Sequence, residues 1–78
     1  MSNLLIQAFL LERYKSPRLT MIQLAEVLRY KSRSTIYNKI NDGTFPVPTY
    51  KAEDSGRYAD VRDVAEYLDE CRERAKLT

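Results

Sequence analysis

The sequence predicts a mainly α-helical domain of four helices that carries one small β-hairpin. Three observations predict it. Apolar residues recur at helical spacing over residues 3–15, 20–29, 33–42 and 60–74. Two prolines, Pro46 and Pro48, break that pattern between the third and fourth segments. A chain of 78 residues, 44% of them hydrophobic, has room for one core and one domain.

The first helix, 3–15, opens on Ser2 or Asn3 and stops before Pro17. Leu4, Leu5, Ile6, Ala8, Phe9, Leu10, Leu11 and Tyr14 go nearly all the way round it. A surface helix needs only one apolar stripe, so the surplus predicts burial against a second copy of the chain. Leu5, Phe9 and Leu10 are the candidate homodimer interface, and wedging between the chain's own elements is the alternative.

Ser16-Pro17-Arg18 is a break, and Arg18-Leu19 can form a short extended piece. Thr20 and Gln23 then fit a capping box, a hydroxyl at the cap with a glutamine three residues on. Met21, Leu24, Ala25 and Leu28 give the second helix its stripe, widened by Ile22 and Val27, with Gln23 and Glu26 pointing out. It ends near Arg29, and Tyr30-Lys31 make the turn.

The third helix, 33–42, has Ser32 as N-cap and Gly43 just past its end. Only Ile36 and Ile40 are strongly apolar, one turn apart, so a single narrow stripe faces the core. Ser34, Tyr37, Asn38 and Asn41 share the opposite face, with Arg33, Thr35 and Lys39 on its flanks. No carboxylate appears before Asp42. Such a face suits a nucleic-acid groove, whereas a plain solvated helix usually mixes Glu with Lys. Two short helices joined by a tight turn follow the helix-turn-helix plan; an ordinary helical hairpin fits the same spacing.

Residues 46–59 read as a hairpin wing, with an extended strand over 44–50, a loop tip over 52–56 and a return strand over 57–59. Lys51 and Arg57 stand at its shoulders, placed for a phosphate backbone. Glu53 and Asp54 at the tip argue against deep insertion into a groove. Asp60 caps the last helix, whose stripe is Val61, Val64, Ala65, Leu68, Cys71 and Ala75 with Tyr67 beside it. Cys71 is therefore expected to be a small buried apolar residue. The polar face carries Asp63, Glu66, Glu70 and Glu73, and residues 74–78 are expected to fray.

Net charge is only +2, but it is unevenly placed. Residues 27–51 carry Arg29, Lys31, Arg33, Lys39 and Lys51 against Asp42 alone, +4 in all; residues 60–73 carry six acids against Arg62 and Arg72, −4 in all. A molecule polarised this way turns its middle toward a polyanion; the alternative is two ordinary solvated faces. With no histidine, one cysteine, no glycine-rich phosphate loop and no nucleophile beside a base, the sequence predicts no enzyme, no cofactor and no metal site. The N-terminal apolar run is too short to span a bilayer and lacks signal-peptide features, so the expected location is the bacterial cytoplasm, at the nucleoid.

Several stretches together resemble a known group. Leu19-Thr20 through Ala25-Glu26-Val27-Leu28, then Ser32-Arg33-Ser34-Thr35-Ile36-Tyr37, Gly43-Thr44-Phe45-Pro46-Val47-Pro48, Arg57-Tyr58 and Asp63-Val64-Ala65-Glu66-Tyr67-Leu68 follow the order of the AlpA and excisionase type. These are small MerR-like winged helix-turn-helix proteins of prophages and genomic islands. The N-terminal Ala8-Phe9-Leu10-Leu11-Glu12-Arg13-Tyr14 and the closing 60–69 look more like the pyocin-activator (PrtN) branch of phage regulators. Against the type, the turn Arg29-Tyr30-Lys31 lacks the usual glycine and is one residue longer. Tyr58 stands where tryptophan often follows the wing arginine.

The resemblance implies a MerR-like winged helix-turn-helix with an extra N-terminal helix, binding double-stranded DNA as a homodimer or cooperative oligomer. Carried over residue by residue, Arg33, Ser34, Tyr37 and Asn38 meet the major groove, Lys31, Thr35 and Lys39 hold phosphates, and Arg57 serves the wing. The expected activity is transcriptional regulation in a prophage or mobile element. Excision control, bending DNA for an integrase, is the alternative; RNA polymerase or that integrase is the expected protein partner. A protein-binding inhibitor or adaptor without DNA binding is the rival from another class.

Overall fold

Each described helix turns part of its apolar face into a common centre. The computed structural model describes residues 3–76, so the cap proposed at Ser2 and the last two residues of the segment expected to fray, 77–78, lie outside it, while Arg74, Ala75 and Lys76 of that segment are helical. The elements run α1 (Asn3–Tyr14), β1 (Arg18–Thr20), α2 (Met21–Leu28), α3 (Arg33–Asp42), β2 (Tyr50–Lys51), β3 (Arg57–Asp60) and α4 (Val61–Lys76). The molecule is mainly helical with a small antiparallel sheet. Among the described residues no helix is long and apolar enough to cross a membrane.

The sheet is larger than a hairpin. Its strand order is β1-β3-β2, both pairs antiparallel. Arg18-Leu19, only an extended piece in the sequence, is the outer strand that pairs Leu19 with Ala59 and Thr20 with Tyr58. That pairing is long-range, and period-two alternation is hard to see in three residues. The hairpin strand expected over 44–50 shrinks to Tyr50–Lys51, because Pro46 and Pro48 cannot donate to a ladder. Between them Val47 is buried and plugs the core from a loop.

Leu10, Leu19, Leu24, Ile36 and Val64 are the largest fully buried side chains. Each contributes on the order of 1.5–3 kcal/mol of apolar transfer. α1 lies along α4, and α2 packs on both α3 and the sheet. Leu10 therefore belongs to the core, correcting its assignment to a dimer interface: it sits on the side of α1 that faces α4, while Leu5 and Phe9 sit on the other. Ile22 is also turned outward rather than widening the stripe of α2. Cys71 is half-buried, with the Arg74 Nη2 3.4 Å from its Sγ, and Ala75 is exposed, so the stripe of α4 meets the core only in its first turns.

Helix ends follow their caps with one exception. Thr20 accepts the Gln23 N–H and Gln23 returns a side-chain bond to the Thr20 N–H, the complete capping box. Gly43 takes φ 73° and closes α3 with its N–H on Ile40 and that of Thr44 on Lys39. Ser32 does not cap with its side chain. Its backbone carbonyl instead takes the Thr35 N–H at 3.3 Å, leaving the hydroxyl at the open start of the helix. At the end of α2 the chain turns left-handed on Arg29, φ 64°, where glycine would be easier.

Candidate nucleic-acid interface

α3 is anchored by Ile36, fully buried, with half-buried Ile40 one turn on. Because successive residues rotate by about 100°, this fixes what the helix shows outward. Arg33, Ser34, Tyr37, Asn38 and Asn41 are exposed, and Thr35 and Lys39 are half-buried on the flanks. The Tyr30 and Phe45 rings, 6.4 Å apart, pin the segments before and after α3 to each other. The helix is thereby held at both ends while its outer face stays open.

The hairpin is fixed by its own polar contacts. Asp54 accepts the Gly56 N–H at 2.9 Å and the Tyr58 hydroxyl at 2.8 Å. These bonds, the Gly56 one foremost, hold the Asp54 carboxyl below its ordinary range, and Asp54 in turn pushes the Tyr58 hydroxyl up. A β-carbon at Gly56 would lie 3.0 Å from that hydroxyl, which explains a glycine there. Arg18 stacks over the Tyr58 ring at 4.0 Å from β1, and Tyr50 lies beside it with ring centroids 6.3 Å apart. Arg57 is half-buried and donates from Nη1 to Thr49 at 2.9 Å. Asp60 accepts both the backbone and the guanidinium of Arg62, chiefly the latter holding its carboxyl low, and so starts α4.

These two pieces meet. One cleft is lined by Thr20, Met21 and Ile22 at the start of α2, by Arg33 and Tyr37 of α3, and by Gly56, Arg57 and Tyr58 of the hairpin. No carboxylate lines it. A neighbouring hollow is lined by Lys31, Ser32 and Arg33 with Tyr30 and Glu26. Of the expected site residues, Arg33, Tyr37 and Arg57 line this cleft and Lys31 the neighbouring hollow; Ser34, Thr35, Asn38 and Lys39 lie on α3 outside both, and Lys51 lines a separate hollow with Arg18, Ala52, Glu53 and Asp54. In register it sits directly opposite Arg57, a like-charged cross-strand pair that a nearby anion would relieve. The Pro46–Pro48 loop shares its hollow with Asp63, Glu66 and Glu70 of α4, the opposite electrostatic character.

Thr20, Met21, Ile22, Gly56 and Tyr58 line the cleft, and Arg18 stacks beside it, without having been site candidates in the sequence. Arg18 and Tyr58 come together only through the β1–β3 pairing, which residue patterns did not reveal. Ile22, 62% exposed, looked like a core residue because its neighbours Met21 and Leu24 are. Among the described residues no group of three or more cysteine and carboxylate side chains is arranged to hold a metal ion. No protein-family model, no curated protein and no solved structure matches the chain.

Proposed function

We propose that the chain is a MerR-like winged helix-turn-helix protein of the AlpA and excisionase type that binds double-stranded DNA and regulates transcription in a prophage or mobile element. One observation carries the reading: Arg33 and Tyr37 of α3 line the same carboxylate-free cleft as Arg57 and Tyr58 of the hairpin. A recognition helix in the major groove with a wing on the adjacent backbone requires that juxtaposition. Kinship with the type rests on the run Ser32-Arg33-Ser34-Thr35-Ile36-Tyr37 followed by Gly43-Thr44-Phe45-Pro46.

In this reading Arg33 offers a bidentate contact to guanine and Asn38 one to adenine, with Ser34 and Tyr37 between them. Ile22 presents an exposed apolar side chain beside Arg33, suited to contact with a thymine methyl. Lys31, Thr35 and Lys39 hold phosphates, and the uncapped first turn of α3 adds backbone N–H donors for one. Arg57, Lys51 and Arg18 serve the wing. Glu53 and Asp54 both carry negative charge at the tip, the latter kept ionised by its bonds from Gly56 and Tyr58, so the wing's shoulders make the contact.

The test is a fluorescence-anisotropy titration against DNA fragments flanking the gene, at two salt concentrations. One fragment should bind preferentially, and affinity should fall as salt rises because phosphate contacts release counterions. A footprint at a promoter supports the regulator; a footprint at an integrase attachment site would move the reading to excision control. A folded protein that binds no DNA at low salt contradicts it.

A further inference from the structure

α1 carries an apolar face that nothing within the described chain covers. Leu4 is 61% exposed, Leu5 78%, Phe9 66% and Leu11 41%, while Leu10 on the opposite side is buried against the core. At about 100° per residue these four side chains and Ala8 fall within one arc less than half the helix circumference wide. Water contact over such an arc is unfavourable, and isolated domains rarely leave one contiguous.

We propose that this face is the seam of a two-fold homodimer in which the α1 helices of two copies pack antiparallel, crossing at Ala8. Three features select a second copy over another partner. The face is self-complementary: an antiparallel crossing at Ala8 sets Leu5 of one copy against Leu11 of the other. Ala8, the smallest side chain of the arc, lies at its middle and lets the helices approach. The charges also match. Glu12, exposed and paired with Lys15 of its own chain at 2.8 Å, sits at the C-terminal end of the arc, and antiparallel packing brings it to the amino end of the other α1, where it exchanges a weak surface pair for the helix pole. That end is the positive pole of its helix and has no acidic residue in its first turn.

Two such faces together remove on the order of 1,000 Å² from water, the lower bound of a specific interface. The dimer is accordingly expected to be reversible and concentration-dependent. The seam stands independently of DNA binding; where both hold, two α3 helices are presented on one particle.

Sedimentation equilibrium of the full chain from about 1 to about 100 µM tests this directly, because a reversible dimer shifts mass across such a range. The expected result is twice the chain mass at the upper end. Leu5→Lys should give the single-chain mass with an unchanged helical circular-dichroism spectrum, since Leu5 contributes almost no packing within the chain. Glu12→Gln should raise the dissociation constant roughly threefold to thirtyfold, the effect of losing two helix-pole contacts per dimer. A wild-type chain of single mass throughout, or a Leu5→Lys chain still of double mass, overturns the seam. A Glu12→Gln dimer of unchanged affinity overturns the antiparallel orientation.

Discussion

α1 and α3 are helices of similar length, 12 and 10 residues, each anchored by one fully buried side chain, Leu10 in one and Ile36 in the other. Their outer faces are opposites. α1 shows water four large apolar side chains; α3 shows Arg33, Ser34, Tyr37, Asn38 and Asn41. Neither looks like the mixed Glu and Lys surface of a helix selected only for solubility. The difference teaches that exposure alone does not define a partner. An apolar protein face would strand the donors of α3 without water, and a phosphate backbone gains nothing from Leu5 or Phe9. The two faces should therefore fail independently when mutated.

The largest effect is expected at the anchor. Ile36→Ala should cost about 2–5 kcal/mol of stability, as truncation of a fully buried aliphatic does, and lower the thermal midpoint by about 10 °C or more. Measured at the low protein concentrations where the chain is monomeric, Leu5→Ala, equally apolar but exposed, should change stability by less than about 0.5 kcal/mol. Equal losses at both positions would mean that α1 is packed on both sides. Next in size is Arg33→Ala, expected to weaken binding to the preferred DNA by about 1–3 kcal/mol and relax one base position. A loss spread equally over random DNA would make Arg33 a phosphate contact, the behaviour expected instead of Lys39→Ala. Neither substitution should alter the mass in solution.

A smaller change is expected at the turn between α2 and α3. Arg29 holds φ 64°, a conformation that costs most side chains about 1–2 kcal/mol and glycine little. Arg29→Gly should recover up to about 1 kcal/mol of stability, read by chemical denaturation, and shift no binding preference if Arg29 stays off the DNA. The smallest effect is in acid. Asp54 and Asp60 are held below their ordinary value of 3.8, so their stabilisation is complete above that pH and is lost as pH falls through the lower folded values. Thermal midpoints should decline below about pH 4, and Asp54→Asn should flatten that decline.

Much of the helical frame was legible because its signals are local. Thr20 and Gln23 announce their capping box, Gly43 its left-handed turn, and Ile36 the buried side of α3 within a single turn of sequence. What depended on distant partners was not. β1 exists because Leu19 meets Ala59, forty residues away. Leu10 looked like Leu5 and Phe9 until α4 chose which side of α1 to bury. Ser32 has the right side chain for a cap, but its carbonyl reached the third amide of the helix first. Arg29 gave no sign of its left-handed backbone, since a residue type other than glycine only rarely marks that region. The helical period put Ser34, Tyr37, Asn38 and Asn41 on the exposed side of α3, but gave no means of bringing Arg18, Ile22 and Tyr58 near it from other elements.

Backbone amide mapping by NMR, on titrating the preferred duplex into the protein, tests most directly which of the two faces meets nucleic acid. Shifts and broadening are expected at the start of α2, along α3 and at residues 49–58, with the exposed side of α1 and the acidic face of α4 unmoved. Perturbation centred on α1 or α4, with α3 silent, would contradict the assignment of α3 to DNA.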